Sequence, residues 1–188
     1  APRFVSSHPM AGSEKHGSSE ANPQLLSGAR VLVSAMPAST LTHYPGSAQD
    51  AMDELESFWL ALGAIPNPMP IDEHDPLLAA ISHLPHVLSY AIIRGIFQQS
   101  NGPDLIALGG PGFRDFSRIA ASDPVVWRDI LTTNREQVLL QISHFKDALN
   151  DFENAIQLNN PQALEDMIRQ ASDLRFNWRM GANKSSEE

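Results

Sequence analysis

The stretch DEHDPLLAAISHLPHVLSYAIIRGIFQQ, residues 72–99, decides the fold class of this chain. Leu77, Leu78, Ile81, Leu84, Leu88, Ile92 and Ile96 recur at three- and four-residue intervals, which predicts one amphipathic helix, the longest in the chain. Pro85 falls inside it. A proline has no N–H for the carbonyl of Ile81, so a kink is expected beside His83 and His86.

Downstream of this helix the pattern stays helical. A loop rich in glycine and proline is expected over 100–112, followed by a helix over 113–121. Asp123-Pro124 then reads as a restart, a capping carboxylate followed by proline at the first helical position. Thr133-Asn134-Arg135-Glu136 fits a capping box that opens a long helix through Val138, Leu139, Ile142, Phe145, Leu149, Phe152 and Ile156. Asn160-Pro161 restarts the last helix, which carries Leu164, Ile168 and Leu174.

Upstream, Ser47 is placed to cap a helix with Met52, Leu55, Phe58, Trp59 and Leu62 on one side and Gly63 at its end, and the proline-punctuated segment 64–69 reads as an edge strand. Before residue 47 the texture changes. Two short β-like runs, 3–6 and 30–34, are separated by glycine, serine and proline, and a linker follows at 36–46. The expected fold is therefore mainly α: a remnant of an α/β domain with its linker over 1–46, an all-helical domain over 47–180, and a disordered polar tail over 181–188. The wide apolar faces of the long helices predict burial against a second copy.

Composition narrows the function. Twenty-two acidic against 13 basic residues give a net charge of −9, so there is no electrostatic footprint for nucleic acid or an anionic membrane. Cysteine is absent, which excludes disulfides and thiolate metal sites. No apolar run approaches 18 residues, so neither a membrane span nor a leader is expected, and a cytoplasmic location is the expectation. The first residue is Ala, with strand-like sequence beginning at once, so the chain is expected to be a fragment whose upstream part is missing.

Several groups of residues invite chemistry. In FVSSHPMAGSEK, 4–15, Phe4 and Val5 read as the end of a buried strand, and Pro9 and Gly12 break structure after it. His8 is thus presented at a strand-end loop, where α/β proteins keep reactive groups; an incidental loop histidine is the alternative. His83 and His86 are spaced for a metal pair but lack a third ligand, so no metal is expected. The run Gly109-Gly110-Pro111-Gly112 fits neither phosphate-binding glycine pattern, and no nucleophile elbow accompanies Ser82 or Ser122. Arg114, Arg118 and Ser122 fall at four-residue spacing, a face suited to a carboxylate or, equally, a solvated arginine face paired with Asp115 and Asp123.

Taken together, HPMAGSEKHG at 8–17, SHLPH at 82–86 and GGPGFRDFSRIAASDPVVWRDI at 109–130 resemble the prephenate dehydrogenase family, which includes the cyclohexadienyl and arogenate dehydrogenases of tyrosine biosynthesis. The resemblance runs from residue 4 to about 178 and lacks the family's N-terminal Rossmann glycine fingerprint. It implies the end of a truncated Rossmann domain followed by a complete all-α dimerisation domain. It also implies oxidative decarboxylation of prephenate or arogenate with hydride transfer to NAD or NADP, inactive in this fragment alone, a homodimer, and tyrosine as an inhibitor. On that resemblance His8 is the catalytic proton acceptor, Ser13, Ser82, His86, Arg118, Ser122 and Trp127 bind substrate, and Arg114 lies near the cofactor. A helical dimerisation module without chemistry is the alternative.

Overall fold

In the computed structural model, residues 4–12, 21–35 and 48–178 are described. Ser13, the linker, the Ser47 cap and the polar tail lie outside them. By its internal contacts the chain divides into two units, one through Val138 and one from Leu139.

The first unit starts with a three-stranded sheet in the order β1 (Val5–Pro9), β2 (Arg30–Ala35), β3 (Ile65–Pro68). β1 runs antiparallel to β2, with His8 opposite Leu32, and β3 runs parallel to it, with Ile65 opposite Arg30. The β-branched residues of β2 explain its central place: Val31 and Val33 are fully buried, and with Ala64 they form a small core. Helix α1 (Ala48–Ala61) closes over that core with Met52, Leu55 and Trp59, with Val5 of β1 packed beside them. Phe58 and Leu62, on the same expected stripe, remain exposed. Gly63 ends α1 with φ +77°, a left-handed turn that glycine adopts without a Cβ clash.

Two expectations for this region change. Phe4 is exposed rather than buried, and the first strand does not end at Val5 but continues through His8 and Pro9. The reason is pairing: β2 offers a ladder up to Arg30, whose carbonyl accepts from the Met10 N–H at 2.7 Å. His8 therefore sits on a strand, held at fixed register.

The long helix exists, but not as one regular cylinder. It runs as α2 (Ile71–Leu78), a π turn (Ala79–His83) and α3 (Leu84–Phe97). The Leu84 N–H reaches back five residues to the Ala79 carbonyl, so the irregularity expected beside Pro85 takes the form of a π turn. The extra residue rotates the apolar stripe. Leu78 and Ala79 are buried together with His83 and Ser89, while Ile81 and Ile92 face outward. No apolar run near 18 residues was expected, yet the 27-residue run Ile71–Phe97 is, by length and composition alone, long and apolar enough to cross a membrane, as core helices of water-soluble proteins also are.

The expected loop over 100–112 contains a helix, α4 (Gly102–Ala107), and the next helix, α5, starts early at Pro111 and ends at Ser117. Proline in the first turn of each supplies a pre-set φ. Ser89 Oγ donates to the Phe116 carbonyl at 3.3 Å, tying α5 to α3. A 3-10 turn (Arg118–Ala121) leads to α6 (Pro124–Thr133), capped as expected by Asp123, whose Oδ1 accepts from the Val125 and Val126 N–H groups at 2.8 and 2.9 Å.

Helix α7 spans Arg135–Gln157, so Thr133 is the last residue of α6 and not the cap of α7. The junction residue is Asn134, and its side chain is spent elsewhere: Nδ2 donates to the Asp75 carbonyl at 2.8 Å and to His83 Nδ1 at 3.2 Å. In the second unit, α8 (Pro161–Asn177) is capped by Asn160 Oδ1, which accepts from the Ala163 N–H at 3.1 Å. Leu149, Ile156, Ile168 and Leu174 of α7 and α8 are exposed.

Candidate active site

Six of the residues singled out in the sequence line a single cleft of about 690 Å³ in the first unit: His8, Ser82, His86, Arg118, Ser122 and Trp127. Three groups of segments deliver them. β1 and the backbone from Met10 to Gly12 form one wall, the π turn and α3 a second, and the 3-10 turn and α6 the rest. Ser13, just beyond Gly12, lies outside the described residues.

The π turn matters here. His86 Nδ1 lies 2.9 Å from the Ser82 carbonyl, which can only accept, so Nδ1 carries the proton and Nε2 keeps its lone pair. The same imidazole stacks on the Trp127 indole, with ring centroids 3.5 Å apart and planes at 19°. His83 and Tyr90 meet that indole edge-on, at 6.1 and 6.4 Å between centroids. One nitrogen of His83 is engaged by Asn134 and one of His86 by the Ser82 carbonyl. Among the described residues no group of three or more His, Cys, Asp or Glu is placed to hold a metal ion.

Arg118 and Ser122 share the cleft, at the start and just past the end of the 3-10 turn, and Ser122 Oγ donates to the Ile119 carbonyl at 2.8 Å. Arg114 is not among the residues lining the cleft. Its Nε donates to Asp115 at 3.0 Å on an exposed surface, so the shared face that uniform helical spacing predicts holds for Arg118 and Ser122 but not for Arg114.

Burial favours the uncharged form of the cleft imidazoles. Burial, and then the neighbouring His74, hold His8 below the ordinary histidine value of 6.5. Burial likewise lowers His86, with the Ser82 carbonyl opposing and Arg118 reinforcing, and lowers His83 against the pull of Asp75. Burial raises the Tyr90 phenol above its ordinary 10.0. The cleft thus places a guanidinium and imidazoles held below the ordinary histidine value against an aromatic wall, groups that can bind an anion and accept a proton.

Sequence reasoning missed His74 and Asp75. His74 Nε2 lies 3.0 Å from His8 Nδ1, and His74 Nδ1 lies 2.8 Å from Asp75 Oδ1. Their spacing to any other candidate carried no signal, because β1 passes beside α2 only in the folded chain.

Comparison with known proteins identifies the arrangement. The family model for the prephenate dehydrogenase dimerization domain matches residues 70–170. The chain belongs to the prephenate dehydrogenase family. It is 28% identical to the cyclohexadienyl dehydrogenase of Zymomonas mobilis over 175 residues, covering 92% of this chain and 57% of the relative. To the prephenate dehydrogenase of Bacillus subtilis it is also 28% identical, covering 92% of this chain and 45% of the relative. The crystal structure of prephenate dehydrogenase from Aquifex aeolicus in complex with hydroxyphenyl propionate and NAD+ superposes with a TM-score of 0.81 at 30% identity, over 93% of this chain and 59% of that one. The chain thus spans about half the length of the curated relatives it matches, and its mainly α architecture with a small N-terminal sheet is shared with a prephenate dehydrogenase structure.

Proposed function

We propose that this chain supplies the substrate-binding and dimerising part of a prephenate or cyclohexadienyl dehydrogenase of tyrosine biosynthesis, which oxidatively decarboxylates prephenate or arogenate. The observation that carries the reading is the convergence of His8, His86, Arg118 and Trp127 on one cleft. The division follows the same reading: residues 1–46 as the end of the nucleotide-binding domain with its linker, 47–180 as the helical domain.

In this reading Arg118 binds a substrate carboxylate through charge-assisted hydrogen bonds, and Ser13, Ser82, Ser122 and Trp127 line the pocket around the ring. His86 presents Nε2 to the substrate's side chain. His8, kept neutral by burial, accepts the proton of the ring hydroxyl as its carbon becomes a carbonyl and gives up hydride. The ring carboxylate then leaves as carbon dioxide, and the electron pair of the broken bond completes the aromatic ring, whose oxygen takes a proton back. NAD or NADP, when bound, receives the hydride. Among the described residues the glycines with positive φ are Gly12, Gly28 and Gly63, and none of these opens a helix as a pyrophosphate-binding turn does. The main site of the cofactor is assigned to the rest of the full-length protein, with Arg114 on its approach.

A homodimer is part of the proposal, supported by the match to a dimerization domain and by the exposed Leu149, Ile156, Ile168 and Leu174. Tyrosine as an inhibitor and a cytoplasmic location belong to the same reading. The test is an assay of the full-length protein for prephenate-dependent and arogenate-dependent reduction of NAD+ and NADP+. Thermal stabilisation of the full-length protein by prephenate or tyrosine is expected alongside turnover. Absence of both at millimolar ligand would leave a dimerisation module without chemistry.

A further inference from the structure

We propose that His74 and Asp75 form a positioning relay behind His8, in which each group sets the proton of the next so that His8 meets the cleft with an unprotonated Nε2. The inference rests on the dehydrogenase reading for its catalytic consequence, but its geometry stands alone. The Asp75 carboxylate only accepts, so His74 Nδ1, 2.8 Å away, carries a proton. With its proton on Nδ1, the uncharged tautomer of the His74 ring has its lone pair on Nε2. His8 Nδ1 lies 3.0 Å from that nitrogen, and one of the two must donate, so His8 Nδ1 carries its proton. Nε2 of His8 is left as the proton acceptor.

The placement is built in. His74 is in the first turn of α2 and His8 on β1, 66 residues apart, and both line a hollow with Ser6, Ser7, Ile71 and Asp75, whose lining does not include Arg118 or Trp127. The backbone of Asp75 is pinned by Asn134 through its carbonyl, which keeps the carboxylate beside His74. As His8 takes the substrate proton and becomes cationic, its Nδ1–H bond to His74 strengthens, and the Asp75 carboxylate makes His74 the better acceptor. The relay resembles in logic a hydrolase triad, with a second imidazole between carboxylate and base. Titratable and charged groups facing His8 are His74 and Asp75 on α2, His83 in the π turn, His86 on α3, and Arg118 and Asp123 before α6.

The experiment uses full-length enzyme with 15N-labelled histidine and three variants: His74→Phe, His74→Gln and Asp75→Asn. In the wild type, at a pH where His8 is neutral, its Nδ1 should be protonated and its Nε2 not. His74→Phe fills the space without an acceptor, so kcat should fall about 10- to 100-fold, with KM for prephenate changed by less than about twofold. His74→Gln retains an acceptor oxygen and should recover part of that loss, which a purely space-filling role would not produce. Asp75→Asn keeps the backbone carbonyl and should lower kcat while shifting the acid limb of the pH profile. A wild-type His8 protonated on Nε2, or a His74→Phe enzyme that folds and retains kcat, would overturn the relay. If His74→Phe does not fold, wild-type kcat and pH profile in Asp75→Asn would overturn it equally. Failure of wild-type enzyme to oxidise prephenate or arogenate would instead sink the proposed reaction, while the tautomer measurement still decides the relay.

Discussion

His86 lies flat on Trp127, 3.5 Å between ring centroids, while its Nδ1 is tethered to the Ser82 carbonyl. The two contacts come from different elements, α6 and the π turn, and together they leave the imidazole one orientation. A stacked pair of this kind is worth about 0.5–1.5 kcal/mol beyond its buried area. Trp127→Leu in the full-length enzyme should therefore raise KM for prephenate about 2- to 10-fold through loss of His86 orientation, read by steady-state kinetics with Tm as the control for folding.

Arg118 is the guanidinium that lines the cleft, whereas Arg114 pairs with Asp115 outside it. The chain's net charge of −9 does not cancel this local cation, because distant carboxylates are screened over about 8 Å at physiological salt. Removing a hydrogen bond to a charged group costs about 1.5–3 kcal/mol, so Arg118→Ala should raise KM roughly 10- to 100-fold. An unchanged KM would refute the carboxylate assignment, and Arg114→Ala should not reproduce the effect if Arg114 acts only toward the cofactor.

His8→Asn keeps a polar side chain on β1 but no imidazole base. The expected outcome is a fall in kcat of about 10²–10⁴ at saturating substrate. Since burial holds the His8 value below 6.5, the acid limb of the wild-type kcat/KM profile should have its midpoint below that value. Wild-type kcat in the variant would remove His8 from the chemistry.

Stability should depend on the same imidazoles. His8, His83 and His86 all have folded values lowered from 6.5, so the unfolded chain binds protons that the folded chain refuses. Their contribution is present above the unfolded value and lost as pH falls from about 6.5 through the folded values. Tm should decline across that window, and His83→Gln should make the decline shallower. A flat Tm between pH 7.5 and 5 would contradict the burial seen here.

Gly102 opens α4 where it presses against the end of α3. A Cβ built there would meet the Ile96 and Phe97 carbonyl oxygens at 2.5 Å, and backbone cannot move aside as a side chain can. Gly102→Ala should cost about 1–3 kcal/mol, measured by denaturant unfolding.

Local spacing alone determined much of this protein. Apolar recurrence over 72–99 and 135–156, the Asp123-Pro124 and Asn160-Pro161 starts, and the β-branched run at 30–34 all act between near neighbours, so helix, cap and strand were legible from residue types. The motifs around His8, Ser82–His86 and Arg118–Trp127 carried the family resemblance. What spacing could not carry was the exact geometry between elements. Pro85 announced an irregularity, but whether the helix bends or absorbs an extra residue depends on what packs beside it, and the π turn is what turned Ile81 outward and His83 inward. Arg114 and Arg118 share a helical spacing, yet only Arg118 lines the cleft, while Arg114 pairs with Asp115 on the surface. Asn134 was read as part of a cap, and its amide instead pins Asp75 and His83. The contact of His8 with His74 was invisible for the simplest reason: 66 residues separate them, and only the packing of β1 beside α2 brings the two rings within a hydrogen bond.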